Sequence, residues 1–208
     1  MRPTRHVAIF ARAPRIGTVK RRLAGDIGDY AAWRYYRNET ARVIAELRSL
    51  GGVELRLAVT PDGFAWRGRF WPQEVLRIPQ GPGDLGARMA RVLHTMSPGP
   101  VVIVGSDIPG LTARHVRSAF AALETHDAVV GPAHDGGYWL IGFSRRPASP
   151  GRWRPRLFRA VRWSGSHALQ DTLATFPVAW RVRTLETLRD VDTGEDLRSL
   201  GGLRLLGR

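Results

Sequence analysis

Apolar and polar positions along this chain switch repeatedly between two periods, and the switching predicts strands separated by helices. Val7-Ala8-Ile9-Phe10-Ala11 is a continuous apolar run, the pattern of a strand buried on both faces. Val101-Val102-Ile103-Val104, a β-branched run between Pro100 and Gly105, is the clearest strand signal. Residues 54–59 alternate and end in Thr60-Pro61-Asp62-Gly63, a turn sequence. Residues 75–78, 127–131 and 138–143, with an extended stretch at 179–183, complete the strand candidates. Helical spacing starts near Val19, breaks around residues 25–28 and resumes over 30–50, where Gly51-Gly52 stops it. Asp84 caps a helix to about Met96, and Thr112 caps one to about Leu123 with Val116, Ala119, Phe120 and Leu123 on one face. Residues 166–176 and 194–200 read as further helices, and the Pro-bearing stretch 145–156 as an irregular excursion.

Strands alternating with helices imply one α/β domain over residues 1–208, a three-layer α/β/α sandwich around a mostly parallel sheet. Such sheets bind ligands beyond the carboxyl ends of their strands, so the chemistry is expected in the loops after Ala11, Val59, Val104 and Gly131.

Composition narrows the partners. Hydrophobic residues make up 43% of the 208, which excludes disorder as the main state. The absence of Cys excludes disulfides, Cys-ligated zinc and a thiol nucleophile. No apolar run approaches the ~20 residues of a membrane span, and the one behind the basic residues 1–6 is too short for a signal-peptide core. A cytoplasmic location is the expectation. The net charge of +14 suggests nucleic acid, yet the 32 basic residues are dispersed and all but Lys20 are Arg. Skew of that kind follows from a GC-rich coding sequence. An anionic small molecule such as a nucleotide is the better-supported partner, and nucleic acid is disfavoured.

Four motifs carry the candidate chemistry. Arg12-Ala13-Pro14-Arg15-Ile16-Gly17-Thr18-Val19-Lys20 follows the first strand and leads into a helix, so its amides and cations suit a phosphate. It lacks the glycine pattern of a P-loop. Gly105-Ser106-Asp107-Ile108-Pro109-Gly110-Leu111 follows the strongest strand and places Asp107 where a divalent metal binds, although turn chemistry alone explains Asp, Pro and Gly. In Gly131-Pro132-Ala133-His134-Asp135-Gly136-Gly137-Tyr138, Asp135 is a ligand or base, and Gly136-Gly137 either admits a substrate or forms an ordinary hairpin turn. Asp190 and Asp192 flank Val191 on an extended segment and share one side of it, where like charges repel unless a cation intervenes. Asp192 or Thr193 also suits a helix cap. Gln80-Gly81-Pro82-Gly83-Asp84-Leu85-Gly86 reads as a binding loop with Arg88 one turn into its helix, and Trp163-Ser164 as either a substrate contact or, at Trp163, simply a packed aromatic.

In this order the motifs resemble the small bacterial glycosyltransferase-like proteins of domain-of-unknown-function family 2064 (DUF2064), from Val7 to about Leu200. Arg12 and Arg21 stand where that family commonly has Lys and Thr, and Gly165 where it has Thr. The resemblance implies a GT-A-like nucleotide-diphospho-sugar transferase fold, similar to 2-phospholactate guanylyltransferase. It implies nucleotide binding by Ala11, Arg12, Ala13, Gly17, Lys20, Gln80, Gly81, Gly86 and Arg88, and Mg2+ or Mn2+ on Asp107, Asp190 and Asp192. It further implies catalysis by Asp107, Asp135 and Lys20, and an acceptor against Gly136, Gly137, Tyr138, Trp163 and Ser164. The expected reaction is glycosyl transfer from a nucleotide-diphospho-sugar to a small acceptor, with nucleotidylyl transfer from an NTP as the alternative.

Overall fold

A computed structural model describes residues 4–145 and 157–201. Beyond Arg145, the segment read as an irregular excursion lies outside the described residues. The strands are β1 (Arg5–Arg12), β2 (Val53–Thr60), β3 (Leu76–Pro79), β4 (Val101–Gly105), β5 (Ala128–Pro132), β6 (Tyr138–Phe143) and β7 (Val182–Thr184). They form one sheet in the order β3-β2-β1-β4-β6-β5-β7. All pairs are parallel except those of β6, which runs against both β4 and β5. The mostly parallel sheet is as expected; the reversal of β6 is the exception.

The helices are α1 (Arg21–Ile27), α2 (Asp29–Arg48), α3 (Leu85–Thr95), α4 (Ala113–Leu123), α5 (Ala168–Ala174) and α6 (Gly194–Ser199). Two caps are as the sequence predicts: the Asp84 side chain accepts from Ala87 N–H at 2.8 Å, and Thr112 forms a capping box with His115. Gly28, at φ 86° and ψ 153°, ends α1 and begins α2 in one residue, which explains the break in helical spacing. Thr193, rather than Asp192, caps α6, in a box with Asp196.

Strand alternation divides the core between the two faces of the sheet. Val7 and Ile9 of β1 join Val43, Ile44 and Leu47 of α2 and Val116 and Phe120 of α4 on one face. Ala8 joins Met89, Val92 and Leu93 of α3, with Phe143, Phe158 and Phe176, on the other. A third cluster of Leu23, Ala32, Tyr35, Val191 and Leu197 fastens α1 and α6 to α2. Each large aliphatic side chain buried this way is worth about 1.5–3 kcal/mol. Among the described residues, no helix is long and apolar enough to cross a membrane.

Candidate functional site

The carboxyl ends of β1, β2 and β4 open on one edge, and α2 lies behind them. Amphipathic spacing turns one face of α2 into the core, and several of its polar side chains reach forward to the loops. Trp33 Nε1 donates to Pro14 O at 2.8 Å. Tyr36 Oη accepts from Arg12 N–H at 2.8 Å, donates to Arg12 O at 3.0 Å and stands 3.1 Å from Ser106 Oγ. Burial pushes the Tyr36 phenol up to about 12, and the Asp107 charge adds to it, so the hydroxyl stays protonated as a donor. Arg42, paired with Glu39, donates to Ile108 O and Leu111 O, and Glu46 accepts from Ala113 N–H. One helix therefore sets the loops after β1 and β4 relative to each other.

Between these loops lies a cavity of about 450 Å³. Of the residues assigned to a nucleotide, Ala11, Arg12, Lys20, Gln80 and Arg88 line it, with Arg21 and Asp107. Gln80 is 3% exposed and its amide donates to Ala58 O and Ala11 O, which locks the side chain against β1 and β2. Ala13, Gly17, Gly81 and Gly86 are not among the lining residues. Ala13 is buried and donates its N–H to Thr60 O. A Cβ on Gly86 would lie 2.5 Å from Phe158 Cβ and 2.8 Å from Trp163 Cζ2, so the missing side chain serves packing of α3 against the 157–163 segment.

The carboxylates gather beside the cavity. Val191 is fully buried in the third cluster, which turns its neighbours Asp190 and Asp192 the other way, as their alternation predicts. The segment is pinned upstream, where Leu185 and Leu188 N–H donate to Val130 O and Pro132 O. Trp139 Nε1 donates to Glu186 O, and His115 pairs with the Glu186 carboxylate. Asp135, Asp190 and Asp192 each place one carboxylate oxygen within 4.8 Å of the others. Burial, then the charges of Asp135 and Asp192, raise the Asp190 pKa. Three hard oxygen donors under mutual repulsion fit Mg2+ or Mn2+, which would relieve that cost.

Asp107 stands apart from this trio and meets it through Lys20. The Lys20 ammonium lies 2.8 Å from Asp107 Oδ2 and 3.0 Å from Asp192 Oδ1, with its side chain 10% exposed. Burial works against its charge, but the two carboxylates outweigh burial and raise its pKa. Lys20 has φ 45° and ψ 49°, a left-handed backbone uncommon for a residue with a Cβ.

The residues expected at an acceptor are differently employed. A Cβ on Gly136, whose φ is 84°, would lie 2.6 Å from Ser166 Cα, and Leu169 N–H donates to Gly136 O. The room at Gly136 is thus taken by the chain's own backbone, not by a substrate. Asp135 Oδ1 accepts from Gly137 N–H at 2.8 Å, which makes residues 133–137 the hairpin turn between β5 and β6. Tyr138 Oη accepts from Thr172 and lies 3.9 Å from Met89 Sδ; burial raises its pKa. Trp163 packs on Phe158, while Ser164 is exposed at φ 64°. Tyr36, Trp33, Arg42 and the Glu186–His115 pair escaped the motif reading: Tyr36, Trp33, Arg42 and His115 act from helices, and Glu186 stands alone in the segment after β7 with no motif around it.

The family described as an uncharacterized protein conserved in bacteria (DUF2064) matches residues 43–165, a narrower span than the motifs from Val7 to Leu200. No curated protein matches the chain. A structure from Desulfovibrio desulfuricans G20, provisionally named a nucleotide-diphospho-sugar transferase, superposes with a TM-score of 0.82 at 30% identity, covering 96% of this chain and 87% of that one. The fold is shared with 4-diphosphocytidyl-2C-methyl-D-erythritol synthase from Anaerococcus prevotii DSM 20548 (TM-score 0.60, 11% identity, 98% of both chains). It is shared also with glucosyl-3-phosphoglycerate synthase from Mycobacterium tuberculosis, solved with Mn2+, UDP and glucosyl-3-phosphoglycerate (TM-score 0.52, 14% identity, 96% of this chain and 75% of that one). On the profile match and the full-length likeness together, the chain belongs to the DUF2064 family of bacterial proteins.

Proposed function

We propose that this protein is a divalent-cation-dependent transferase that takes a nucleotide-diphospho-sugar and passes its sugar to a small acceptor. One observation carries the reading: a cavity lined by Arg12, Lys20, Arg21 and Arg88 adjoins a carboxylate trio, with Lys20 paired to one of its members. Cations that hold a diphosphate and oxygens that hold a metal thus meet at one sheet edge. The names of the Desulfovibrio and Mycobacterium relatives support sugar transfer, and the Mn2+ in the latter supports a divalent ion.

In this reading Arg12, Lys20 and Arg88 bind the diphosphate, and Gln80 and Ala11 border the nucleoside. Asp107, Asp190 and Asp192 would hold Mg2+ or Mn2+, whose charge would offset that developing on the departing diphosphate. Asp135, exposed at the rim, takes the acceptor's hydroxyl proton. As that oxygen bonds the sugar's anomeric carbon, the bond from this carbon to the diphosphate breaks.

Nucleotidylyl transfer is the second reading. The favouring observation is length: this chain spans 98% of the cytidylyl-type synthase from A. prevotii but 75% of the glucosyl synthase. A thermal-shift screen of nucleotide sugars and NTPs with Mg2+ or Mn2+ separates the two. Saturating ligand at about 100 times its Kd stabilises by about 2.7 kcal/mol. Preference for a nucleotide sugar supports the first reading and preference for an NTP the second. No shift with either class, or shifts that Asp190→Asn leaves intact, rejects the site.

A further inference from the structure

We propose that Lys20 is an internal stand-in for the divalent cation, holding Asp107 and Asp192 together until metal and nucleotide enter as one unit. The inference rests on the function proposed above and adds an order of binding to it.

The geometry is that of a bridging cation. One ammonium contacts Asp107 Oδ2 at 2.8 Å and Asp192 Oδ1 at 3.0 Å, and these carboxylates come from opposite ends of the site, the loop after β4 and the segment before α6. No second group neutralises Asp107 in an ion pair among the described residues, and the other cation near Asp192, Arg22, is more distant at 3.8 Å and largely exposed. Were Lys20 absent, two carboxylates would face each other across a partly buried gap, the arrangement that draws in a hard cation. With Lys20 present the gap is filled by a charge of the correct sign. A bare Mg2+ or Mn2+ ion that is to join Asp107 to Asp192 must therefore displace an ammonium already held by two partners.

A metal arriving on a diphosphate does not meet that difficulty. The same unit brings oxygens to receive the ammonium, and Lys20 already lines the cavity in which the diphosphate is placed. Lys20 then exchanges two carboxylates for phosphate oxygens, and its two former partners turn to the metal. The charge count balances at every stage: no carboxylate loses its cation without gaining another. The left-handed backbone at Lys20, φ 45° and ψ 49°, fits a residue held in place by these contacts rather than by local preference.

Lys20 is the only lysine in the chain, so the test needs no assignment. Wild-type protein labelled with 15N at the lysine side chain gives a single Nζ resonance. Mn2+ binding is followed in parallel by electron paramagnetic resonance of the free ion. With Mg2+ alone at millimolar concentration the Nζ signal should stay where it is in metal-free buffer; with Mg2+ and UDP or GDP together it should move. Lys20→Met should bind Mn2+ alone at least tenfold more tightly than wild type, while its affinity for Mn2+-nucleotide falls. Adding Asp107→Asn to Lys20→Met should remove that gain. Equal Mn2+ affinity in wild type and Lys20→Met, or a gain that survives Asp107→Asn, overturns the inference and leaves the transferase reading standing. A wild-type Nζ signal that moves with Mg2+ alone overturns it too, without any variant that must fold. Failure of every nucleotide to move the signal or bind Mn2+ removes both proposals together.

Discussion

The two halves of the ligand edge are held by different means. On the side of β1, β2 and β4, α2 braces the loops from behind with hydrogen bonds from Trp33, Tyr36 and Arg42, and the space in front stays open as a cavity. On the side of β5 and β6, segments of chain lock directly into each other: Gly136 against the backbone of Ser166, and Gly131 against the Trp139 indole. A loop fixed from behind leaves room for a ligand the size of a nucleotide. Loops that interlock leave little, so that half contributes rim side chains, chiefly Asp135 and, on the neighbouring segment, Asp190.

The contrast is broken most strongly at Gly136. Gly136→Ala puts a methyl group into Ser166 and forces a side chain to φ 84°, and should cost about 3–5 kcal/mol from the sum of overpacking and backbone strain. Urea denaturation measures it; a cost below about 1 kcal/mol would mean that the two segments are not interlocked. Tyr36→Phe tests the other half. It strips a partner from Arg12 and Ser106 and should cost about 2 kcal/mol, with nucleotide binding weakened as the loops after β1 and β4 lose their registration. Stability lowered with nucleotide affinity intact would show that α2 supports the fold and not the site. Asp84→Ala removes the cap of α3 at the cavity's border and should cost about 1 kcal/mol.

The smallest effect comes from the opposite edge of the sheet. His6, at the start of β1, is fully buried beside Glu54; burial holds its pKa below the usual 6.5 although Glu54 works the other way. The folded state thus resists protonating His6, so its contribution is complete above pH 6.5 and is lost as pH falls toward the lower folded value. His6→Leu should flatten the fall in melting temperature between pH 7.5 and 5.5 without changing nucleotide affinity at pH 7.5. An unchanged pH profile would place the acid sensitivity elsewhere.

Legibility in the sequence divides along the same line. The parallel strands were readable because they are buried on both faces and composed of β-branched runs, as at Val101–Gly105, and their loops followed from topology. The alternation around buried Val191 was enough to put Asp190 and Asp192 on one side. Direction was not readable: apolar content at Tyr138–Phe143 is the same whichever way β6 runs. Nor was the use of each glycine, since an Asp-Gly-Gly turn next to a substrate and one next to Ser166 are spelled alike. Polar residues on α2 were hidden for a related reason. Tyr36 and Arg42 fit an amphipathic helix, and only the third dimension brings residues 106–111 beneath them.

The reversal of β6 has a consequence for the carboxylate trio. Every other route back to the ligand edge requires a crossover connection, whereas β5 and β6 return there through the short turn at residues 133–137. The contact of Gly136 with the Ser166 backbone and the Leu169 N–H fixes this turn in place. Asp135 is therefore carried to within 4.8 Å of Asp190 and Asp192 by a turn with no slack, so the geometry of the trio is set by backbone packing and not by side-chain choice.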